Sequence, residues 1–148
     1  MLPRFVLLLS ISTLSISSLS STSYGEDWAQ WRGPNRDAKS NETGLLENWP
    51  EDGPPLAWKA TGLGGGYSSI ALANGRIFTM GDLDDGSYVI VLDETDGSSI
   101  WKTRIGEAGG HKRYPGPRGT PTIDNGDVFV LNQYADVVCL DAKSGTTK

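Results

Sequence analysis

The sequence predicts an all-β fold made of repeated antiparallel sheets, and three observations carry that expectation. Gly (19 residues) and Pro (8) stand together above their average share of roughly 12 per cent, and they separate short apolar runs in the manner of turns. Those runs are rich in Val, Ile, Leu, Phe and Tyr and bounded by Asn-Gly, Asp-Gly and similar pairs, the pattern of strands and hairpins. The third observation is a repeat. Ser69 to Phe78 aligns with Thr120 to Phe129 at an offset of 51 (120 minus 69), and Val91-Leu92-Asp93 with Gly97 aligns with Cys139-Leu140-Asp141 with Gly145 at an offset of 48. The three-residue difference falls between strands, where a hairpin loop varies in length. A period near 50 residues that contains several strands is the mark of a propeller-type array.

The N-terminus is set apart from the fold. Arg4 supplies a positive start, Phe5 to Leu9 begin an apolar core, and Ser23-Tyr24-Gly25 place small residues at a cleavage site, so residues 1–25 read as a secretory signal peptide. The stretch from Phe5 to Leu19 carries six Ser or Thr in 15 residues, too short and too polar for a span of about 20 apolar residues. Cleavage would remove Arg4 and take the formal charge from -5 to -6. The expected mature protein is acidic, exported and without a transmembrane anchor, in the periplasm or outside a Gram-negative-type bacterium. Its one short basic run, His111-Lys112-Arg113, argues against a nucleic-acid partner, because phosphate binding needs clustered cations. The lone Cys139 excludes an intrachain disulfide.

Residues 26–55 form an N-terminal extension. The segment 56–61, Leu56-Ala57-Trp58-Lys59-Ala60-Thr61, resembles the last strand of a blade whose other strands are absent, and is expected to close the final blade of a ring. A complete four-stranded blade spans 67–105, with strands near 68–72, 76–80, 88–92 and 100–103. Asn74-Gly75 suits a type I′ hairpin, Asp84-Asp85-Gly86 makes the next turn, and Asp96-Gly97 the third. A partial blade spans 118–148, with strands near 120–123, 128–131 and 137–140. The acidic run Asp82 to Gly86 fails the spacing of a calcium loop and is assigned to a turn.

Asp93, Gly97, Trp101 and Gly106 fall in register with the pattern A-x-D-x-x-x-G-K-x-x-W-x-x-x-x-G, with Val91 and Ser98 at the Ala and Lys positions. Asp141 and Gly145 repeat its first half. This resembles the tryptophan-docking motif of pyrroloquinoline quinone (PQQ) repeats. Together with Trp28-Ala29-Gln30-Trp31-Arg32-Gly33-Pro34 and Pro117-Arg118-Gly119-Thr120-Pro121-Thr122, the chain is similar to secreted PQQ-binding-like β-propeller repeat proteins, relatives of quinoprotein alcohol dehydrogenases and of the outer-membrane assembly factor BamB. The resemblance implies four-stranded antiparallel blades in a ring of seven or eight, of which about two are here. The sequence then reads as an N-terminal part of a longer chain.

The motif itself has a structural explanation. Trp101 can dock between blades while its indole N–H finds a backbone acceptor, Gly97 and Gly106 permit a tight turn and close approach, and Asp93 can hold turn amides two residues on. Candidate ligand positions are Tyr67 and Arg118, equivalent residues at the starts of the innermost strands, which line the channel of a propeller. Arg118 could pair with a carboxylate and Tyr67 could stack on a ligand; the alternatives are a solvated Arg and a core Tyr. His111, Lys112 and Arg113, beside Tyr114, could meet an acidic ligand or simply form a solvated loop. The expected function is an exported binding or scaffold module of the cell envelope, with a protein partner or a small-molecule ligand in the channel and no cofactor assured. The alternative is a quinoprotein dehydrogenase oxidising alcohols or sugars, with PQQ and calcium as cofactors. For that enzyme the resemblance implies a pair of adjacent cysteines that this sequence lacks, and no catalytic residue can be assigned.

Overall fold

The computed structural model describes residues 25–148, so the expected signal sequence lies outside the described residues but for Gly25. Alternating apolar runs and turn pairs give strands throughout. The first sheet has four antiparallel strands in sequence order: β1 (Ala71–Ala73), β2 (Arg76–Leu83), β3 (Gly86–Asp93) and β4 (Ser99–Gly106). A two-residue ribbon follows, β5 (Gly110–His111) with β6 (Tyr114–Pro115). The second sheet runs β7 (Thr122–Asp124), β8 (Asp127–Leu131) and β9 (Val137–Asp141), again in order and antiparallel. Beyond β9, Thr147 pairs with Leu140, the position at which Ser99 pairs with Leu92 in the first sheet. These are blades of a β-propeller, one with four strands and one with three.

The hairpin turns follow from their residues. Asn74 and Gly75 have φ of 53° and 71°, and Asn125 and Gly126 have 48° and 82°. Both central residues of a type I′ turn need positive φ, which Asn and Gly adopt most readily. The innermost strand is shorter than the sequence predicts. Before Ala71 the backbone leaves the ladder, and the Ser68 hydroxyl accepts the Met80 N–H at 3.2 Å while donating to the Gly119 carbonyl at 2.7 Å.

The register of the repeat fixes which face meets which. Phe78, Met80, Val89 and Val91 point to one face of the first blade and pack on Val128, Val130 and Leu140 of the second. Ile77, Ile90 and Leu92 point to the other face, under Trp58, Ala60 and Leu63. The first blade is therefore covered on both sides, which is why Val89 to Leu92 is a continuous apolar run instead of an alternating one. The second blade is covered on one side only. Phe129 and Leu131, the counterparts of Phe78 and Met80, are 41% and 50% exposed, and Val137 is 76% exposed.

Two tryptophans lock the seams. Trp101 lies on the turn of the next blade, where its Nε1 donates to the Ala142 carbonyl at 3.3 Å, and Arg76 donates to the same carbonyl at 2.9 Å. Gly145 is the seat: with φ of 74°, any Cβ there would lie 2.6 Å from Trp101 Cε3. Trp58 repeats the arrangement one blade earlier. Its Nε1 donates to the Glu94 carbonyl at 3.0 Å, and a Cβ on Gly97 would lie 2.5 Å from its Cε3. Residues 56–61 form no ladder with the described strands; they meet the first blade through the Trp58 hydrogen bond and the packing of Trp58 and Ala60 on its second face.

Two outcomes are expected. Trp101→Ala should cost about 3 kcal/mol in urea unfolding, within the range for large-to-small changes at packed aromatic sites, and Gly145→Ala should lower the midpoint in the same direction by filling the indole's seat. The isolated segment 25–148 should self-associate with rising concentration through the apolar face of its second blade. Phe129→Ser with Leu131→Ser should return it to a monomer in sedimentation velocity.

Candidate functional site

The inner ends of the two blades converge on one small cleft of about 300 Å³, lined by Tyr67, Tyr114 and Arg118. Its walls come from two crossing segments. Residues 63–67 lead into the first blade, and the Gly65 and Asp82 amides and carbonyls pair in both directions at 2.9 and 2.7 Å. Residues 109–118 carry the β5–β6 ribbon into the second blade. The segments touch backbone to backbone, and the Tyr67 N–H donates to the Pro117 carbonyl at 2.7 Å. Gly116 makes this crossing possible: its φ is 93°, and a Cβ there would lie 2.7 Å from Gly66 Cα.

Within the cleft, the Tyr67 and Tyr114 rings meet edge to face at 6.1 Å and 75°. His111 stacks on Tyr114 at 5.7 Å and 17°. Arg118 Nη2 donates to the Tyr114 carbonyl, which pins the guanidinium beside the rings. Tyr67 and Arg118 thus share one cleft although 51 positions separate them. Tyr114 joins them, and the sequence marked it only as a neighbour of the cationic cluster. That cluster is not a plain loop: His111 and Tyr114 face each other across the ribbon, with the turn at Lys112-Arg113.

Asp82 holds the arrangement from below. Its Oδ2 accepts the Gly109 N–H at 2.6 Å and its Oδ1 accepts from Gln133 Nε2 at 3.2 Å. One side chain at the end of β2 therefore ties the ribbon and the second blade, while its backbone ties the entry segment. The sequence assigned Asp82 only to an acidic turn. Its role depends on Gln133, 51 residues away, which no local pattern reveals.

The outer edges of the inner strands are occupied by the chain itself. Trp28 exchanges backbone hydrogen bonds with Leu72 at 2.8 and 3.0 Å, and the Ala29 carbonyl accepts the Ile123 N–H at 2.8 Å. The N-terminal extension thus runs along the inner edges of both blades.

The remaining motif residues lie in turns and seams, away from the cleft. Asp93 Oδ1 accepts from the Thr95 hydroxyl, and from its N–H at 2.8 Å; the hydroxyl first, then the amide, holds the Asp93 carboxyl below its ordinary range. Asp141 does the same for Ser144, whose amide and then hydroxyl lower its pKa. Hydrogen bonds to the ionised form are the cause in both. Gly106 ends β4 against the Asn132 side chain.

Calcium needs six to eight oxygen ligands, mostly carboxylates and carbonyls. Between Ala108 and Ile123 the sequence has Lys112, Arg113 and Arg118 and no Asp or Glu, and the Asp82 carboxylate below already accepts from Gly109 and Gln133, so the donor set at this cleft does not fit a calcium-held quinone. Among the described residues no group of three His, Cys, Asp or Glu could hold a metal ion.

Gly116→Ala is expected to force the two segments apart, costing about 2 kcal/mol as overpacking does. Hydrogen exchange should read the change directly, with faster exchange at the Tyr67 N–H.

Comparison with known proteins follows from this geometry. No curated protein matches the chain. Among solved structures, a europium-containing methanol dehydrogenase matches at 23% identity with a TM-score of 0.41, over 53% of this chain and 14% of that one. The chain thus spans about a seventh of that structure's length. Among the described residues no helix is long and apolar enough to cross a membrane. The family model described as outer membrane protein assembly factor BamB matches residues 28–148, the span that holds both blades, both docked tryptophans and the cleft; the chain belongs to this family of PQQ-like repeat proteins.

Proposed function

We propose that this protein is an exported module of the cell envelope that binds a ligand at the inner seam of its blades and performs no chemistry of its own. The observation that carries the reading is the convergence of Tyr67, Tyr114 and Arg118, from two successive repeats, in one open cleft. Apolar rings beside a fixed charged fork are the composition of a small-ligand site. The family's description as an outer-membrane assembly factor supports an envelope role, and the pattern of residues 1–25 supports export. Arg118 in the cleft and Lys112 and Arg113 on the adjoining ribbon favour an anionic ligand, since the one carboxylate described beneath them, Asp82, is engaged by Gly109 and Gln133.

A titration with small anions separates binding from catalysis. Benzoate, sulfate and glucuronate are added to isotopically labelled protein, and amide shifts are followed. At least one should give saturable shifts confined to the neighbourhood of Tyr67, Tyr114 and Arg118. The same preparation, given PQQ, calcium and an electron-accepting dye, should not oxidise primary alcohols. Quinone-dependent dye reduction, or the absence of a saturable shift with any of the three anions, overturns the reading.

A further inference from the structure

The chemistry of the cleft narrows the ligand further, on the basis of the binding reading above. Tyr67 and Tyr114 are 57% and 48% exposed, so their rings are available to a ligand instead of filling the core. They stand 75° apart. Two such faces form a corner and not a slot, and a flat aromatic ligand can lie on only one of them. His111 lies flat against Tyr114 and covers part of its surface. A puckered ring with C–H groups on more than one side fits a corner better. Its C–H hydrogens carry slight positive charge and meet the negative faces of the tyrosine rings.

Charge supplies the second constraint. In a chain of formal charge -5, the segment from Ala108 to Ile123 holds Lys112, Arg113 and Arg118 and no acid, and the Asp82 carboxylate beneath it is taken up by Gly109 and Gln133. Arg118 spends one N–H on the Tyr114 carbonyl, and its Nε and Nη1 donate to no described residue. A guanidinium fixed at one corner with donors to spare matches a carboxylate. The Tyr67 N–H is taken by Pro117, so polar recognition falls to side chains. The cleft is shallow and lined by three residues, so a single ring can rest on it with the rest of the ligand in solvent.

We propose that the Tyr67–Tyr114–Arg118 cleft binds an acidic pyranose, with its ring against the two tyrosines and its carboxylate on Arg118. The sugar can be a free uronic acid or the end of a longer chain, since the cleft opens to solvent.

Calorimetric titration of the purified chain with glucuronate, glucose and benzoate tests this, with tri-galacturonate as the arm for a chain end. Glucuronate should bind on the order of tenfold more tightly than glucose, the worth of one hydrogen-bonded charge pair, and more tightly than benzoate. Arg118→Gln should erase the preference for glucuronate over glucose while the melting temperature stays unchanged. Tyr67→Ala should weaken both sugars, and Tyr67→Phe should retain them. Tighter trimer than monomer binding identifies a polysaccharide source, and equal binding a free uronate. Equal affinity for glucuronate and glucose, tighter binding of benzoate, or a preference that survives Arg118→Gln overturns the acidic-sugar assignment, while the binding reading stands. If no titrant binds, the acidic-sugar assignment falls, and the binding reading falls with it if sulfate also fails to bind.

Discussion

The docking of one tryptophan on the turn of the following blade is the contact on which the rest of the structure depends. A blade alone is a small twisted sheet with two apolar faces, and leaving either in water costs stability. Trp101 fixes the distance and angle at which the second blade covers the first, because its ring needs the bare Gly145 and its N–H needs the Ala142 carbonyl. Once that seam is set, Phe78, Met80 and Val91 meet Val128, Val130 and Leu140 in a single dry layer. Trp58 applies the same device to the other face of the first blade through Gly97 and Glu94. Asp93 and Asp141 hold the receiving turns rigid through the amides and hydroxyls of Thr95 and Ser144.

The cleft is a consequence of this seam and not an addition to it. Each blade starts its inner strand at the same end, so an entry segment and an inter-blade segment must cross there. In a tightly packed seam the crossing leaves no room for side chains on its inner surface, hence Gly66 and Gly116. The side chains next to the crossing, Tyr67 and Arg118, are pushed outward onto a common surface. Asp82 then couples the cleft to the packing: its carboxylate holds Gly109 and Gln133 while its backbone holds Gly65. A ligand at the cleft therefore rests on the blade interface itself. Trp28 and Ala29 pair along the edges of the inner strands at Leu72 and Ile123, while Tyr67 and Tyr114 stay exposed beside the crossing.

The sequence by itself determined the all-β class, the two repeats, their hairpin turns and the docking tryptophans, because each rests on short-range chemistry. Asn-Gly pairs favour positive φ, Val and Ile runs favour strands, and an Asp-to-Gly-to-Trp spacing is visible within fifteen residues. The repeat also aligned Tyr67 with Arg118 as equivalent strand starts. Tertiary structure decided what is built from contacts between distant residues. It shortened the innermost strand, because Ser68 replaces a backbone partner with its hydroxyl. It turned the His111–Tyr114 stretch into a ribbon, because Gly109, Gly110 and Gly116 find partners in Asp82, Tyr134 and Gly109. It brought Tyr114 between Tyr67 and Arg118, and laid the N-terminal extension along both inner strands. The pairings of Asp82 with Gly109 and of Ser68 with Gly119 leave no local pattern, since a hydrogen bond between residues 27 or 51 positions apart depends on the packing of whole blades and not on the residues beside it.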